Sequence, residues 1–304
     1  MKNIFIRYKA IWFTFSTTLI VLGIISMTSN YINKGAIFNF GIDFTGGTSL
    51  TLSVDEAEKV FAQTKEVPSS LREKTNGLIE ESAKALGLEH VQLTMADRHY
   101  FMVRTSEMTA KQLDQFIETL KQKVGSLTIV ENDFIGGSIG NELQKQAVSI
   151  IGVAIFLLLI YITFRFEFWA ALAAILALVH DTLITLGLTA ILGIQVDGAF
   201  VAAILTILGY SINDTIVIFD RIRENGKTMT DAFSAIAELS IWQTLTRSVY
   251  TVSTVLIVLA SIYFFGGASL KDFSLVLIIG IFFGGYSSIF IASPLLVMFK
   301  KWSE

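Results

Sequence analysis

Charged side chains occur inside apolar stretches of this sequence that are long enough to cross a membrane. Asp214 follows Asn213 in the stretch AFVAAILTILGYSINDTIVIF, Asp181 follows His180 in a second stretch, and Arg247 begins a third. A charge at mid-membrane costs about 2.5–3.5 kcal/mol on insertion scales, so each charge needs a compensating role. Burial disfavours an ionised carboxylate and a nearby Arg favours it, so a small movement of the Arg can switch Asp214 between its two forms. These residues therefore predict proton or ion transfer.

Hydroxyl groups continue the same faces at helical spacing. Thr185 and Thr189 follow Asp181 at i+4 and i+8. On the other two stretches the candidate relay residues, which could order water between transfer steps, are Tyr210, Thr206 and Thr251. Because a helix facing lipid would not carry such stripes, we predict that these faces meet inside a helical bundle.

Asp214 and Arg247 are predicted to meet in the cytoplasmic half of the membrane. At 1.5 Å per residue, Asp214 lies about 9 Å from the cytoplasmic end of its span. Other interpretations of these groups stay open. Asp214 and Arg247 could form a static buried ion pair, His180 could be a hydrogen-bonded packing residue, and Asn213 could bond a neighbouring helix.

Composition identifies a membrane protein and excludes several kinds of site. Of 304 residues, 53% are hydrophobic and 16% are charged, whereas soluble domains are about 25% charged. The sequence has no cysteine and three histidines. Disulfides, thiol nucleophiles and Cys-based zinc sites are therefore excluded, and a His-rich metal site is not expected. We expect no cofactor, no metal and no nucleic-acid partner.

Hydropathy predicts an α-helical polytopic protein with six transmembrane helices. The predicted spans are 11–29, 147–164, 169–192, 199–219, 246–265 and 273–299. Basic residues concentrate in the short flanks that positive charge holds in the cytoplasm. Lys2, Arg7 and Lys9 precede the first span, and Lys300 and Lys301 follow the last. Both termini are therefore expected in the cytoplasm.

The segment between the first two spans is hydrophilic and long enough for one small core. Its pattern predicts, in chain order, a strand at 49–54 with one buried face, a helix at 70–86, a hairpin of 91–95 with 100–104, a helix at 109–124 and a strand at 127–134. This βαββαβ order is the ferredoxin-like arrangement. The predicted domains are 1–29 with span 1, an extracytoplasmic α+β domain at 30–145, and 146–304 with spans 2–6 and a cytoplasmic loop at about 220–243.

Two glycine-rich loops flank this domain. Asp43, Gly46 and Gly47 are predicted to form a turn before the first strand, with positive φ at the glycines. Gly136 and Gly137 lie at the exit into span 2. We predict that the paired loops act as hinges.

The cytoplasmic mouth of span 4 is predicted at Asp220, Arg221 and Arg223. These residues fit an orientation anchor with local salt bridges, and they also fit a proton exit or a docking surface.

The following segment 230–239 is predicted as a short interfacial helix that begins at Thr230 and turns Ile236 to the membrane. In span 6, small residues recur every four positions and predict close helix packing. They are Gly280, Gly284, Ser288 and Ala292.

These motifs, in this order, resemble the SecD/SecF family of bacterial protein-export membrane proteins, which is related to the resistance-nodulation-division transporters. The resemblance extends over nearly the whole chain. The matching segments are GIDFTGGT at 41–48, GSIGNEL at 137–143, YITFRFEF at 161–168, LVHDTLITLG at 178–187, GYSINDTIVIFDRIREN at 209–225, QTLTRS at 243–248 and YSSIFIASPLL at 286–296.

The resemblance implies a function in protein export at the bacterial plasma (inner) membrane. It implies a SecD-like partner, association with the SecYEG channel and a small YajC-like protein, and contact with an exported unfolded polypeptide. It also implies that H⁺ or Na⁺ drives the late steps of translocation through Asp214 and Arg247, without covalent catalysis. The sequence departs from the family at Gly137, where Pro is common, and at Trp242, where Asn is frequent.

Three other functions remain open at this point. A passive scaffold would use the polar residues for packing only. An intramembrane aspartyl protease would need Asp181 and Asp214 close enough to share a proton. A small-molecule exporter of the related superfamily would be unusually small at six spans.

Overall fold

The computed structural model describes residues 4–88, 91–96 and 99–303, so Lys2 lies outside the described residues. Contacts divide the chain into two units, Met1–Asn39 with Val148–Glu304 and Phe40–Ala147. In chain order the elements are α1 (Lys9–Lys34), β1 (Asn39–Phe40), α2 (Ile42–Thr45), β2 (Gly47–Val54), α3 (Asp55–Thr64), α4 (Ser69–Ala85), β3 (Gln92–Ala96), β4 (Tyr100–Thr105), α5 (Ala110–Val124), β5 (Leu127–Ile135), α6 (Gly137–Arg165), α7 (Phe168–Leu192), β6 (Gln195–Val196), α8 (Gly198–Thr228), α9 (Phe233–Phe265), α10 (Ala268–Ser287), a π-helical turn (Ser288–Ala292) and α11 (Ser293–Ser303).

Six helical segments within the described ranges are long and apolar enough to cross a membrane, which confirms the predicted number. They are Lys9–Asn33, Gly137–Arg165, Phe168–Leu192, Gly198–Thr228, Phe233–Phe265 and Leu270–Lys300. The last combines α10, the π-helical turn and α11, so the sixth span is not one uniform helix.

Helix α10 contacts α7, α8 and α9 in the first unit, while α1 packs on α7. Glycines permit the closest approaches. A Cβ on Gly23 of α1 would lie 2.6 Å from the Cα of Gly187 on α7. A Cβ on Gly280 would overlap the side chain of Ile207, and one on Gly284 would lie 3.0 Å from the Cβ of Ser211. The small-residue face of span 6 is thus a packing surface, as predicted.

Helix α9 begins earlier than the sequence suggested. The predicted interfacial helix at 230–239 is wrong, because α9 runs without interruption from Phe233 and its N-cap is Ala232 rather than Thr230. Residues 233–265 contain no Pro or Gly that would end a helix. Ile236 is buried in the bundle instead of turned to the membrane. The predicted loop at about 220–243 is correspondingly reduced to the four residues 229–232.

The π-helical turn in the sixth span has a local chemical cause. Pro294 lacks the N–H that would continue the regular hydrogen-bond ladder. Next to this proline, the hydroxyl of Ser293 donates to the carbonyl of Ser288 at 2.8 Å. Wide turns of this kind frequently occur at functional sites, and this one is next to Ser287.

The second unit contains a four-stranded sheet in the order β3-β4-β2-β5, and β2 pairs antiparallel with both β4 and β5. Its core includes Leu50, Leu52, Phe101 and Phe116. Helix α5 begins with a capping box in which Thr109 and Gln112 bond each other's backbone. The prediction that β2 has one exposed face is wrong. As a central strand it is buried along its whole length.

The two glycine-rich loops contact each other within the second unit. Gly46 and Gly47 have φ of 69° and 122°, which confirms the predicted positive φ. A Cβ on Gly46 would lie 2.6 Å from the Cα of Gly137, and the backbone N–H of Gly137 donates to the carboxylate of Glu107. Asp43 lies in the single turn α2. The hinge function of these loops stays a prediction.

Candidate functional site

Asp181 of α7 lies at the centre of a buried polar cluster. Its carboxylate accepts hydrogen bonds from the hydroxyls of Ser211 at 2.5 Å and Ser287 at 2.7 Å. The Nδ1 atom of His180 lies 2.8 Å from its other oxygen. Asp181 is fully buried. The cluster therefore joins the third, fourth and sixth spans through one carboxylate.

The helical stripe below Asp181 is buried as predicted. Thr185 donates to the carbonyl of Asp181 at 2.8 Å, and Thr189 donates to the carbonyl of Thr185 at the same distance. Both threonines are fully buried. Both hydroxyls donate to carbonyl groups of α7 itself, so their burial does not require a hydrogen-bond acceptor on another helix.

His180 extends the cluster toward α1. Its ring stacks with that of Tyr286 at a centroid distance of 6.3 Å, and Tyr286 donates to the carbonyl of Trp12 at 3.1 Å. The Nε2 atom of His180 is buried and has no hydrogen-bond partner among the residues that the structure describes. One side of this imidazole is thus available for a proton or a water.

Asp214 of α8 lies one turn from Ser211 but belongs to a different environment. Its side chain is 4% exposed. Its Oδ2 atom is buried and accepts no hydrogen bond within the described ranges. Most buried polar atoms in proteins are paired, and exceptions often mark a catalytic group or a site for water or an ion.

The register of α8 against α9 brings Arg247 to the level of Asp214. The hydroxyl of Tyr210 donates to the carbonyl of Thr251 at 2.8 Å. The two helices run in opposite directions, so four residues along α8 and four back along α9 lead to Asp214 and Arg247. The two charges interact electrostatically. The described contacts include no salt bridge between them, so the predicted direct pair is absent from this conformation.

The predicted polar stripes of spans 4 and 5 do not all face the interior of this chain. Asn213, Thr206 and Arg247 are exposed, while Asp214 is buried. Successive helical residues are about 100° apart, so the face that places Ser211 and Asp214 inside leaves Asn213 outside. Thr206 bonds its own helix, at the carbonyl of Ala202. An exposed polar face therefore lies beside the buried carboxylate.

The residues of the predicted cytoplasmic mouth form a local network. Arg165 forms a salt bridge with Asp220, and Arg223 lies 3.2 Å from the same carboxylate. Arg221 donates to Gln243 of α9 at 2.6 Å. These contacts tie α8 to the end of α6 and to α9, as the predicted local salt bridges require, while a proton exit or docking surface stays a prediction.

The two aspartates have separate partners. Asp181 bonds Ser211, Ser287 and His180, and no hydrogen bond joins it to Asp214 in the part of the chain that is described. A protease dyad needs two carboxyl groups that share a proton. Here Asp181 is a buried, hydrogen-bonded carboxylate, and Asp214 is a second carboxylate with one oxygen that has no hydrogen-bond partner among the described residues.

Ser211 and Ser287 were missed by sequence reasoning. Each is an ordinary small residue in an apolar helix, and the sequence does not state which serines face Asp181. The available signals were the position of Ser211 one turn before Asp214 and the serine pair in YSSIFIASPLL. Neither signal identifies a partner without the helix rotations.

Replacing Asp181 with Ala is expected to destabilise the helical unit by about 1–2 kcal/mol, because interhelical hydrogen bonds in membranes contribute about 0.6 kcal/mol on average and up to about 1.7. The thermal unfolding midpoint in detergent would measure the loss. Ser261→Ala is a matched control, since the exposed Ser261 bonds only its own helix. An unchanged midpoint for Asp181→Ala would contradict the hydrogen-bonded cluster.

Comparisons with known proteins match nearly the whole chain. The family described as protein export membrane protein SecD/SecF, C-terminal, matches residues 115–302, and the SecD/SecF GG motif matches residues 38–58. The protein translocase subunit SecF of Sebaldella termitidis is 37% identical over 98% of this chain and 92% of its own length.

Longer relatives match along part of their length. The protein translocase subunit SecDF of Thermus thermophilus is 36% identical over 87% of this chain and 35% of its own length. A crystal structure described as SecDF, a translocon-associated membrane protein from Thermus thermophilus, superposes with a TM-score of 0.80 at 32% identity. That match covers 97% of this chain and 38% of the longer one.

Proposed function

This chain belongs to the SecD/SecF family of protein-export membrane proteins as a SecF-type subunit, and from that premise we propose that it couples an ion gradient to late steps of polypeptide translocation. The observation that supports this proposal most is Asp214, a buried carboxylate with an unsatisfied oxygen beside an Arg that it does not contact directly. In a purely structural ion pair, the guanidinium would bond the carboxylate directly. A carboxylate with an unpartnered oxygen can still bind and release a proton or an ion.

In the proposed cycle Arg247 controls the charge of Asp214. When the guanidinium approaches, the ionised carboxylate is favoured, and when it withdraws, burial favours the protonated form. Each form stabilises a different arrangement of α8 and α9, since a ligand shifts the equilibrium between two states by its differential affinity for them. The coupling ion is H⁺ or Na⁺, and the cycle needs no covalent chemistry and no cofactor.

A SecD-like partner is proposed to cover the exposed polar face of α8 and α9. Polar and charged groups exposed to lipid are unfavourable, and here Arg247, Asn213, Thr206 and Thr254 are exposed on this chain. The SecDF relative carries more than half of its length beyond the region matched here, which fits a second subunit on a separate chain. Association with the SecYEG channel and a small YajC-like protein is part of the same proposal.

The unit Phe40–Ala147 is proposed to be a ferredoxin-like domain between spans 1 and 2 on the extracytoplasmic side. Its sheet order and its chain order of strands and helices support that topology. In this proposal the helical unit lies in the inner membrane of a bacterial cell. Both termini lie in the cytoplasm, because basic residues precede the first span and follow the last one. The outer domain would contact the exported unfolded polypeptide and tilt on its glycine-rich loops.

The proposed function is tested by translocation of a secretory polypeptide into inverted membrane vesicles that contain or lack this subunit. We expect the subunit to increase the yield of fully translocated polypeptide only when an ion gradient is present. An equal increase after the gradient is collapsed would favour a passive scaffold. The scaffold is the second candidate because the carboxylate of Asp181 accepts hydrogen bonds from Ser211 and Ser287 and so holds three helices together.

A further inference from the structure

A buried carboxylate that belongs to neither the Asp181 cluster nor the Asp214 site bonds residues 4–6. Glu238, in the second turn of α9, is 1% exposed. Its Oε1 atom accepts the backbone N–H groups of Ile4 at 2.7 Å and Phe5 at 3.1 Å, and its Oε2 atom accepts that of Ile6 at 3.0 Å. Both carboxylate oxygens are therefore used by one short segment.

The donors belong to the turn at residues 4–8, which precedes α1 and is called the leading turn below. Within this turn the N–H of Tyr8 donates to the carbonyl of Ile4 at 3.3 Å, which closes one helix-like turn before α1 begins. The first N–H groups of a helix have no partner within the helix and carry partial positive charge. Tyr8, at the N-cap of α1, makes no side-chain cap. Glu238 instead accepts the N–H groups of the leading turn itself, which lies before α1 and more than 230 residues away in the chain.

Aromatic packing also holds the same segment. Phe5 is buried, and its ring lies 5.2 Å from that of Trp242 and 5.6 Å from that of Phe290. Trp242 lies one helical turn after Glu238, on α9, and Phe290 lies in the π-helical turn. The leading turn thus contacts α9 through a carboxylate and an indole that share one face of the helix.

Most of the buried residues of helix α9 lie near this end. Its buried residues concentrate between Ile236 and Ser248, and beyond Ser248 only Leu259 is buried. Arg247 lies nine residues after Glu238, about 13.5 Å along the helix at 1.5 Å per residue. Glu238 and Arg247 lie on the same uninterrupted helix, so a contact that holds the beginning of α9 also bears on the position of Arg247.

We propose that Glu238 is a positioning residue that clamps the leading turn to α9 and so sets the place of Arg247 relative to Asp214. Charge-assisted hydrogen bonds are roughly twice as strong as neutral ones, and three of them converge on this carboxylate. The part of the proposal that concerns Arg247 rests on the proposed function, whereas the clamp itself rests on geometry alone.

Labelling of a single cysteine tests the clamp. The chain has no cysteine of its own, so Ile4→Cys introduces one reporter and keeps the backbone N–H. In inverted vesicles that also carry the partner, a membrane-impermeant maleimide should label it slowly. Glu238→Ala should increase the labelling rate by about tenfold, and Glu238→Gln, which keeps the shape but loses the charge, by a smaller factor of roughly two to three. The same rate in all three would overturn the clamp.

Cross-linking tests the positioning. The rings of Phe5 and Trp242 touch, so a short bis-maleimide joining Phe5→Cys to Trp242→Cys would close the clamp covalently. Glu238→Ala should reduce gradient-dependent export, and the cross-link should restore it. Faster labelling with unchanged export would overturn the positioning claim.

If Glu238→Ala fails to accumulate, Glu238→Gln carries both measurements. If Asp214→Asn leaves export normal, the proposed function fails, and the labelling rate still decides the clamp.

Discussion

Replacing Asp214 with Asn abolishes the gradient-dependent stimulation of export while the chain still accumulates and assembles with its partner. Asn has nearly the same shape as Asp, so packing of the buried side chain is retained. It cannot exist in charged and neutral forms, so the proposed switch is lost. We expect stimulation to fall by at least about tenfold, the factor that corresponds to about 1.4 kcal/mol. Translocation of a secretory polypeptide into energised vesicles measures the effect.

A matched control for this variant is Asp272→Asn. Asp272 accepts the backbone N–H of Gln195 at 3.0 Å, a hydrogen bond that the amide oxygen of Asn can also accept. Stimulation should therefore remain normal in the control. Normal stimulation in Asp214→Asn itself would refute ion coupling through this carboxylate, whatever the control does.

Replacing Arg247 with Met has the second large expected effect. Met retains much of the length and apolar character of the side chain but carries no charge, so nothing would favour the ionised form of Asp214. We expect a loss of stimulation comparable to that of Asp214→Asn. Arg247→Lys should retain part of it, because Lys keeps the charge but lacks the planar fork of donors. The same vesicle assay would compare the three proteins.

The control for Arg247→Met is Arg72→Met, which removes an exposed guanidinium from α4 of the other unit. It should leave stimulation unchanged. Full activity of Arg247→Met would favour the scaffold function, since a structural subunit needs no charge at this position. A loss of partner assembly in Arg247→Met, with the Lys variant assembling normally, would instead assign Arg247 to the interface.

The helical architecture was accessible from the sequence because its signals are local. Long apolar runs and flanking charges define six spans, and the four-residue spacing of small residues in span 6 marks a packing face. Thr185 and Thr189 were placed correctly because their spacing from Asp181 follows one helix. The start of α9 was misplaced because its first turns look amphipathic, although they continue the same helix into the bundle.

The partners within the site were not accessible, because they depend on how neighbouring helices are rotated. Nothing near Asp181 in the chain identifies Ser211 or Ser287, and nothing near Glu238 points to Ile4. The exposed position of Arg247 was also unexpected. The sequence pattern assumes that polar stripes face inward within one chain, whereas a subunit can present such a stripe to a partner.

The Asp181 cluster and the Asp214 site suggest a division of tasks within the bundle. A carboxylate with three partners is suited to hold helices together, and a carboxylate with an unsatisfied oxygen is suited to change state. This division explains why a single chain keeps two buried aspartates without joining them into a dyad. The proposed clamp at Glu238 lies on α9, the helix that also carries Arg247.

The most direct test of ion coupling is flux measured without any exported polypeptide. Vesicles would contain this subunit together with the SecD-like partner, and a trapped pH- or Na⁺-sensitive dye would report the ion after a gradient is imposed. If Asp214 carries the ion, we expect flux with the wild-type chain and none above background with Asp214→Asn at equal incorporation. Equal flux from the two proteins would contradict ion transfer through Asp214.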